Sequence, residues 1–240
     1  MILAAGEGMR LRPLTLETPK VLLPIGEVPL IERQLSWLKS HSISEVAINL
    51  HHLGGKIRDF LGDGSRLGIK IYYSPEKTLL GTAGGVKRME HFFDGTFVVV
   101  YGDVLTDFNL TKMLQFHQLK KALATLVIFE APNPQEVAIV EMNDEGRILR
   151  LVEKPQLLDQ PPASVPASGG IYILDREVLT YIPNQGCSDF AYDIFPKLIS
   201  LGLSLYGYLL KPEDYLIDIG TRDKYHKANE EVGKFKVHRV

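Results

Sequence analysis

The residues best placed to do chemistry open the chain. Gly6 and Gly8 are followed by Arg10 and Arg12, with Lys20 behind them. Small residues let a backbone approach a ligand closely, and the N–H groups of such a loop can point at it. Cationic side chains directly behind suit an anion, and a polyphosphate is the candidate. A plain glycine turn with two solvated arginines is the alternative for so short a match. The loop lacks the four-residue spacing and Gly-Lys-Ser/Thr of a Walker loop. It also lacks the third glycine of the dinucleotide fingerprint. A second candidate is Asp103, in Phe97-Val-Val-Val-Tyr-Gly-Asp103. It stands just past an apolar run, and open α/β sheets bind ligands outside their strand ends. A carboxylate there suits Mg²⁺, which takes one or two protein carboxylates plus substrate phosphates. A turn aspartate is the alternative, and Asp107 reads as turn or cap chemistry.

Positioning these groups requires buried strands ending beside them. The apolar run Met1 to Ala5 reads as the first, then Glu45 to Leu50, Ile69 to Tyr73 and Phe97 to Tyr101. Helical stretches alternate with them: Ile31 to Lys39, Leu53 to Leu61, Ala83 to Phe93 and Leu110 to Lys121. This rhythm argues for an α/β fold with a mostly parallel sheet and helices on both faces. From Ala124 the rhythm changes. Ala124 to Phe129, Ala138 to Met142, Ile148 to Val152, Gly170 to Leu174 and Ser204 to Leu209 read as strands. Asn143 to Gly146 reads as a hairpin turn, and Leu157 to Pro166 as a surface loop. Helices are expected near Arg176 to Ile182 and over Phe190 to Leu201. Thr221 reads as the N-cap of a last helix to about Val232, before a loose basic tail from Gly233.

The opening stretch Leu-Ala-Ala-Gly-x-Gly-x-Arg-Leu-x-Pro-Leu-Thr, then Pro19-Lys20, Leu-x-Pro-Ile and Pro-Leu-Ile, resembles the signature of the sugar-1-phosphate nucleotidylyltransferases. The resemblance implies a three-layer, Rossmann-like (GT-A-like) fold with a small β-rich sugar-binding part. It implies transfer of a nucleoside monophosphate from an NTP to a sugar 1-phosphate, with Mg²⁺. On this resemblance Leu3, Ala5, Gly6 and Gly8 bind the nucleotide, and Arg10, Lys20 and Lys154 are the catalytic cations. Asp103 holds the metal. Tyr215-Leu-Ile-Asp-Ile-Gly-Thr221 resembles the family's Trp-x-Asp-x-Gly-Thr segment, so Asp218 completes the metal site; Leu216 departs from the aromatic. In Val152-Glu-Lys-Pro155, Glu153 would hold sugar hydroxyls and Lys154 the sugar phosphate. Taken alone, that pair is an ordinary solvated ion pair.

Two departures fall in the sugar half. Ser168, with Gly169, stands where relatives have Asn-Ala, and Ala138 where a glycine is common. Leu80-Gly-Thr-Ala-Gly-Gly85 corresponds to the loop against the base, with Gly81, Thr82 and Gly85 as contacts. Gly-Thr-Ala-Gly is most similar to the mannose-1-phosphate guanylyltransferases, which puts GTP first and GDP-mannose as product. Heptose-1-phosphate guanylyl-, glucose-1-phosphate thymidylyl- and N-acetylmuramate-1-phosphate uridylyltransferases stay open. So does a non-catalytic binding module of the same fold, against which the full charged set argues. Residues 1–123 would form the nucleotide half, 124–220 the sugar half, and 221–240 a terminal helix and tail. No hexapeptide-repeat domain is expected.

The bulk properties agree. A chain of 240 residues, 45% apolar, can bury one sizeable core. Its net charge of −2 without a basic block argues against nucleic acid. The single Cys187 fits a reducing cytoplasm, and no apolar run suits a membrane span. Homo-oligomerisation is left open. Adjacent histidines His51-His52 point to opposite faces of an extended chain, a poor chelate. Asp189 and Asp193 read as capping carboxylates, though the resembled family places an acidic residue near the sugar here.

Overall fold

The computed structural model describes residues 1–132, 135, 137–153 and 164–233, with only the backbone of Glu153. The expectations for Lys154, for the loop from Leu157 to Ala163 and for the tail beyond Gly233 lie outside them. In chain order the strands are β1 Ile2–Leu3, β2 Pro24–Ile25, β3 Val28–Pro29, β4 Glu45–Leu50, β5 Lys70–Pro75, β6 Phe97–Tyr101 and β7 Val104–Thr106. Then come β8 Ala124–Ala131, β9 Ala138–Met142, β10 Ile148–Glu153, β11 Val165–Leu174, β12 Leu205–Leu209 and β13 Leu216–Asp218. The α-helices are α1 Leu30–Ser40, α2 Gly54–Leu61, α3 Gly81–Arg88, α4 Leu110–Lys120, α5 Phe195–Ser200 and α6 Arg222–Glu230. No described helix is long and apolar enough to cross a membrane.

The chain forms two compact units: 1–79 with 100–109 and 212–240, and 80–99 with 110–211. In the first unit β1 pairs in parallel with β4 and with the end of β6, and β4 pairs in parallel with β5. From Val46 onward β4 is buried throughout, as its Val-Ala-Ile-Asn-Leu run requires. Two ribbons complete this unit, β2 with β3 and β7 with β13, both antiparallel. A core cluster of Leu11, Leu23, Ile25, Leu30, Leu105, Ile219 and Ala228 lies beneath them. It joins the opening loop, α1, β7 and α6, and each such leucine contributes roughly 1.5–3 kcal/mol.

The second unit is mainly antiparallel. β11 pairs with β8 and β9, β9 with β10, and β12 runs parallel to β8. β11 begins five residues before the expected Gly170, because Val165 and Pro166 pair with Ala131 and Glu130. Proline reads as a loop signal in the sequence, but the start of a strand tolerates it. The expected helix over Phe190 to Leu201 is a π-helix, Phe190–Ile194, leading into α5. Pro196 cannot donate to the preceding turn, which divides the two. The segment Arg176–Tyr181 is 3₁₀. The Asn143–Gly146 turn forms as expected, with the Asn143 Oδ1 accepting from the Glu145 and Arg147 N–H groups.

Candidate active site

The opening loop leaves β1 and is tied down from beneath. Ala4 N–H donates to the buried Asn49 Oδ1 at 2.7 Å, and Asn49 Nδ2 donates to Glu76 Oε1 at 2.8 Å. Gly8 takes a left-handed backbone with φ +63°, which a side chain would strain. Its carbonyl accepts from Thr15 Oγ1 at 2.8 Å, closing the loop on itself. Gly6 is exposed, and a side chain there would meet nothing within 4 Å, so the backbone is open to a ligand. Leu11, fully buried, anchors the turn, while its neighbour Arg10 is exposed.

Asp103 occupies the two-residue connection between β6 and β7. Gly102 before it is required by close approach. A Cβ would lie 2.6 Å from the Leu3 carbonyl oxygen, to which Gly102 N–H already donates at 2.9 Å. The Gln34 amide, on the buried face of α1, spans this connection by donating to Tyr101 O at 2.9 Å and Val104 O at 2.7 Å. Lys20 Nζ contacts Asp103 Oδ2 at 2.6 Å. Burial alone would push the Asp103 carboxyl up. The charge and hydrogen bond of Lys20, with Arg10 further off, prevail and hold it below the usual carboxylate range.

The β7–β13 ribbon brings the second aspartate to the first. Asp218 is paired with Val104, and Ile219 N–H donates to Asp103 O at 2.8 Å. Asp218 Oδ2 accepts from Lys224 Nζ at 2.7 Å and Oδ1 from Gly220 N–H at 3.1 Å. A Cβ on Gly220 would lie 2.8 Å from both Arg10 Nη2 and Asp218 Oδ1. The glycine thus lets a guanidinium and a carboxylate flank one point. Asp107 serves the ribbon instead. Its Oδ1 accepts from Tyr215 N–H at 2.9 Å and secures β13 beside β7.

These carboxylates fit a divalent cation. Both are hard oxygen donors, each already in contact with a cationic side chain, and each carries lone pairs beyond those engaged. Among the described residues no group of three or more His, Cys, Asp or Glu could hold a metal. A two-carboxylate site completed by phosphate oxygens is what Mg²⁺ prefers. The histidines are tied elsewhere, His51 Nδ1 to Glu76 O at 2.9 Å and His52 Nε2 to Thr15 O at 3.2 Å.

In the second unit, Gly81 opens α3 with φ +75° against the Ser188 carbonyl. That carbonyl accepts from Ala83 N–H at 2.9 Å and Gly84 N–H at 3.1 Å. Thr82 Oγ1 donates to Asp189 Oδ2 at 2.7 Å and accepts from Phe190 N–H at 2.9 Å, and Gly85 is buried. The start of α3 therefore docks on the segment before the π-helix, and the hydroxyl of Thr82 is already engaged. Ser168 sits at a register shift of β11, beside buried Gly169. Its Oγ is buried and has no hydrogen-bond partner among the described residues. The backbone of Glu153 pairs with Ala138 at the end of β10.

Gln34, Asn49 and Lys224 are not among the residues the sequence singles out. The first two carry a signal: Gln34 interrupts the apolar face Leu30, Ile31, Leu35, Leu38, and Asn49 interrupts a buried strand. Lys224 carries none.

The nucleotidyl transferase family model matches residues 1–234. The UTP–glucose-1-phosphate uridylyltransferase of Synechocystis sp. is 37% identical, over 95% of this chain and 61% of its own length. The mannose-1-phosphate guanylyltransferase of Mycobacterium tuberculosis is 31% identical, over 97% of this chain and 64% of its own. The chain thus spans a little over three fifths of these relatives. A solved Bacillus anthracis structure, provisionally described as a glucose-1-phosphate thymidylyltransferase, superposes with a TM-score of 0.84 at 27% identity, covering 95% of this chain and 92% of that one. Glycine loop, strand-end aspartate and matched model agree, and the chain belongs to the nucleotidyl transferase family.

Proposed function

We propose that this chain transfers a nucleoside monophosphate from an NTP to a sugar 1-phosphate and releases pyrophosphate. The observation that carries the reading is the corner where Asp103 and Asp218, each against a lysine ammonium, adjoin Arg10 and the glycine loop. A phosphomonoester has a second pKa of about 6, so the sugar phosphate arrives as an anionic nucleophile. It needs neither a general base nor a covalent enzyme intermediate. One of its oxygens forms a bond to the α-phosphorus as the bond from that phosphorus to the bridging oxygen of pyrophosphate breaks. The residues align this in-line attack and offset crowded negative charge. Arg10 and Lys20 hold the triphosphate and stabilise the departing pyrophosphate; Leu3, Ala5, Gly6 and Gly8 lend backbone. Asp103 and Asp218 hold Mg²⁺, which when bound neutralises phosphate charge.

In the second unit we assign Gly81 to the base, with Thr82 and Gly85 shaping that turn from behind. Glu153, Ser168 and Gly169 are assigned to the sugar, and Lys154 to its phosphate. Residues 1–123 thus serve the nucleotide and 124–220 chiefly the sugar. The exposed lone Cys187 suits a reducing cytoplasm.

GTP and mannose 1-phosphate come first, on the Gly-Thr-Ala-Gly turn and the guanylyltransferase relatives. UTP with glucose 1-phosphate is the second reading, favoured by the Synechocystis relative. The test is pyrophosphate release from GTP, UTP and dTTP, each with mannose, glucose and heptose 1-phosphates. Fastest release from GTP with mannose 1-phosphate is expected. A lead for UTP with glucose 1-phosphate selects the second reading. Binding without release for every pair would replace the enzyme with a binding module.

A further inference from the structure

Lys224 stands in the first turn of α6, behind the Thr221 cap, whose Oγ1 accepts the Lys224 N–H at 3.4 Å. A first turn favours anions and disfavours cations. Asp223 supplies the favourable charge here, so Lys224 stands against the helix dipole. What it gains is Asp218, at 2.7 Å, with side-chain exposures of only 28% and 33%. The companion pair Lys20–Asp103 has the same form. Lys20, however, follows the opening glycine loop, whereas Lys224 comes from α6, six residues after Asp218.

We propose that Lys224 is a resident counter-cation that competes with the divalent metal for Asp218. The proposal rests on the reading of Asp218 as a metal ligand. The ammonium neutralises Asp218 and ties its carboxylate to the first turn of α6. To admit a metal at Oδ2, Lys224 gives up this contact, which its flexible four-carbon stem allows. Affinity for free metal is thereby kept low, and the metal enters with the nucleotide, whose phosphates supply further oxygens.

The probe is Mn²⁺ titrated into the full chain without nucleotide, with free Mn²⁺ read by electron paramagnetic resonance. Lys224→Met, similar in length and helix propensity, is expected to bind Mn²⁺ roughly three- to fivefold tighter, the scale of a partly exposed ion pair. Lys224→Arg, which keeps the charge, should stay near wild type. Lys227→Met, one turn further along α6 and exposed, should also be unchanged. No gain in Lys224→Met, an equal gain in Lys224→Arg, or an equal gain in Lys227→Met would each overturn the proposal. Thermal melts of each variant show whether it is folded. Asp218→Asn separates the two levels: unchanged Mn²⁺ affinity there removes Asp218 as a ligand and the proposal with it. Weakened binding in Asp218→Asn, with no gain in Lys224→Met, overturns the counter-cation alone.

Discussion

Two pairs of aspartates in this chain look alike in composition and differ in what holds them. Asp189 and Asp193 lie four apart, the spacing that sequence alone favours for a shared helix face. Their oxygens accept from main-chain amides and a hydroxyl: Asp189 Oδ1 from Ala191 and Tyr192 N–H, Asp189 Oδ2 from Thr82, and Asp193 Oδ2 from Asp189 N–H. Asp103 and Asp218 are far apart in sequence, brought together by the β7–β13 ribbon, and each faces a lysine. A cation partner can be exchanged for another cation. A main-chain amide can be released only by opening the turn. The partner, more than the spacing, separates the carboxylates we propose as metal ligands from those that cap a turn.

The sharpest way to break that comparison is Asp103→Asn. Loss of the charge should lower turnover by roughly 10³-fold, the scale of removing a group that stabilises transition-state charge, with the thermal melt nearly unchanged. A fully active variant would sink the assignment. Next in size is Gln34→Leu, which keeps bulk but releases the Tyr101 and Val104 carbonyls on either side of Asp103. A drop of about 10–100-fold is expected, as for other groups that orient a ligand, with a higher Mg²⁺ requirement. Asp189→Ala should behave in the opposite manner: little change in turnover, but about 1 kcal/mol of stability lost with the cap. That lowers the melting temperature by roughly 2–4 °C. A collapse of turnover there with an unchanged melt would erase the distinction between the pairs.

Much of this is legible in the sequence, for identifiable reasons. The strands Glu45–Leu50, Phe97–Tyr101 and Ala138–Met142 are rich in apolar and β-branched residues, and their bounds read directly. The strand-end position of Asp103 follows from the second. β7 and β13 are not legible. They are three residues each, and their pairing depends on contacts between distant segments such as Asp107 Oδ1 to Tyr215 N–H. Lys224 is hidden for the same reason, since its partner is fixed by the ribbon. The early start of β11 is masked by Pro166, and the π-helix by a periodicity that α-helical spacing imitates.

The smallest effect concerns a titratable group whose partner is neutral. His117, on α4, is 3% exposed, with Nδ1 2.8 Å from Thr125 Oγ1. Burial lowers its pKa, and the charge of Asp175 recovers only part of the shift. Asp103 is half-buried, and a lysine contact keeps it ionised; a hydroxyl cannot do this for His117. Below the unfolded value of about 6.5 the unfolded chain takes up a proton that the folded chain resists. The His117 contribution is therefore fully present above about pH 6.5 and lost as pH falls toward its folded value. For one proton the slope cannot exceed about 1.4 kcal/mol per pH unit. His117→Gln, which keeps a hydrogen-bonding group toward Thr125, should flatten the stability profile just below pH 6.5 in urea melts and leave it unchanged at pH 8. An unaltered acid slope would mean that His117 charges within the fold, and that a hydroxyl partner can stand in for a charged one after all.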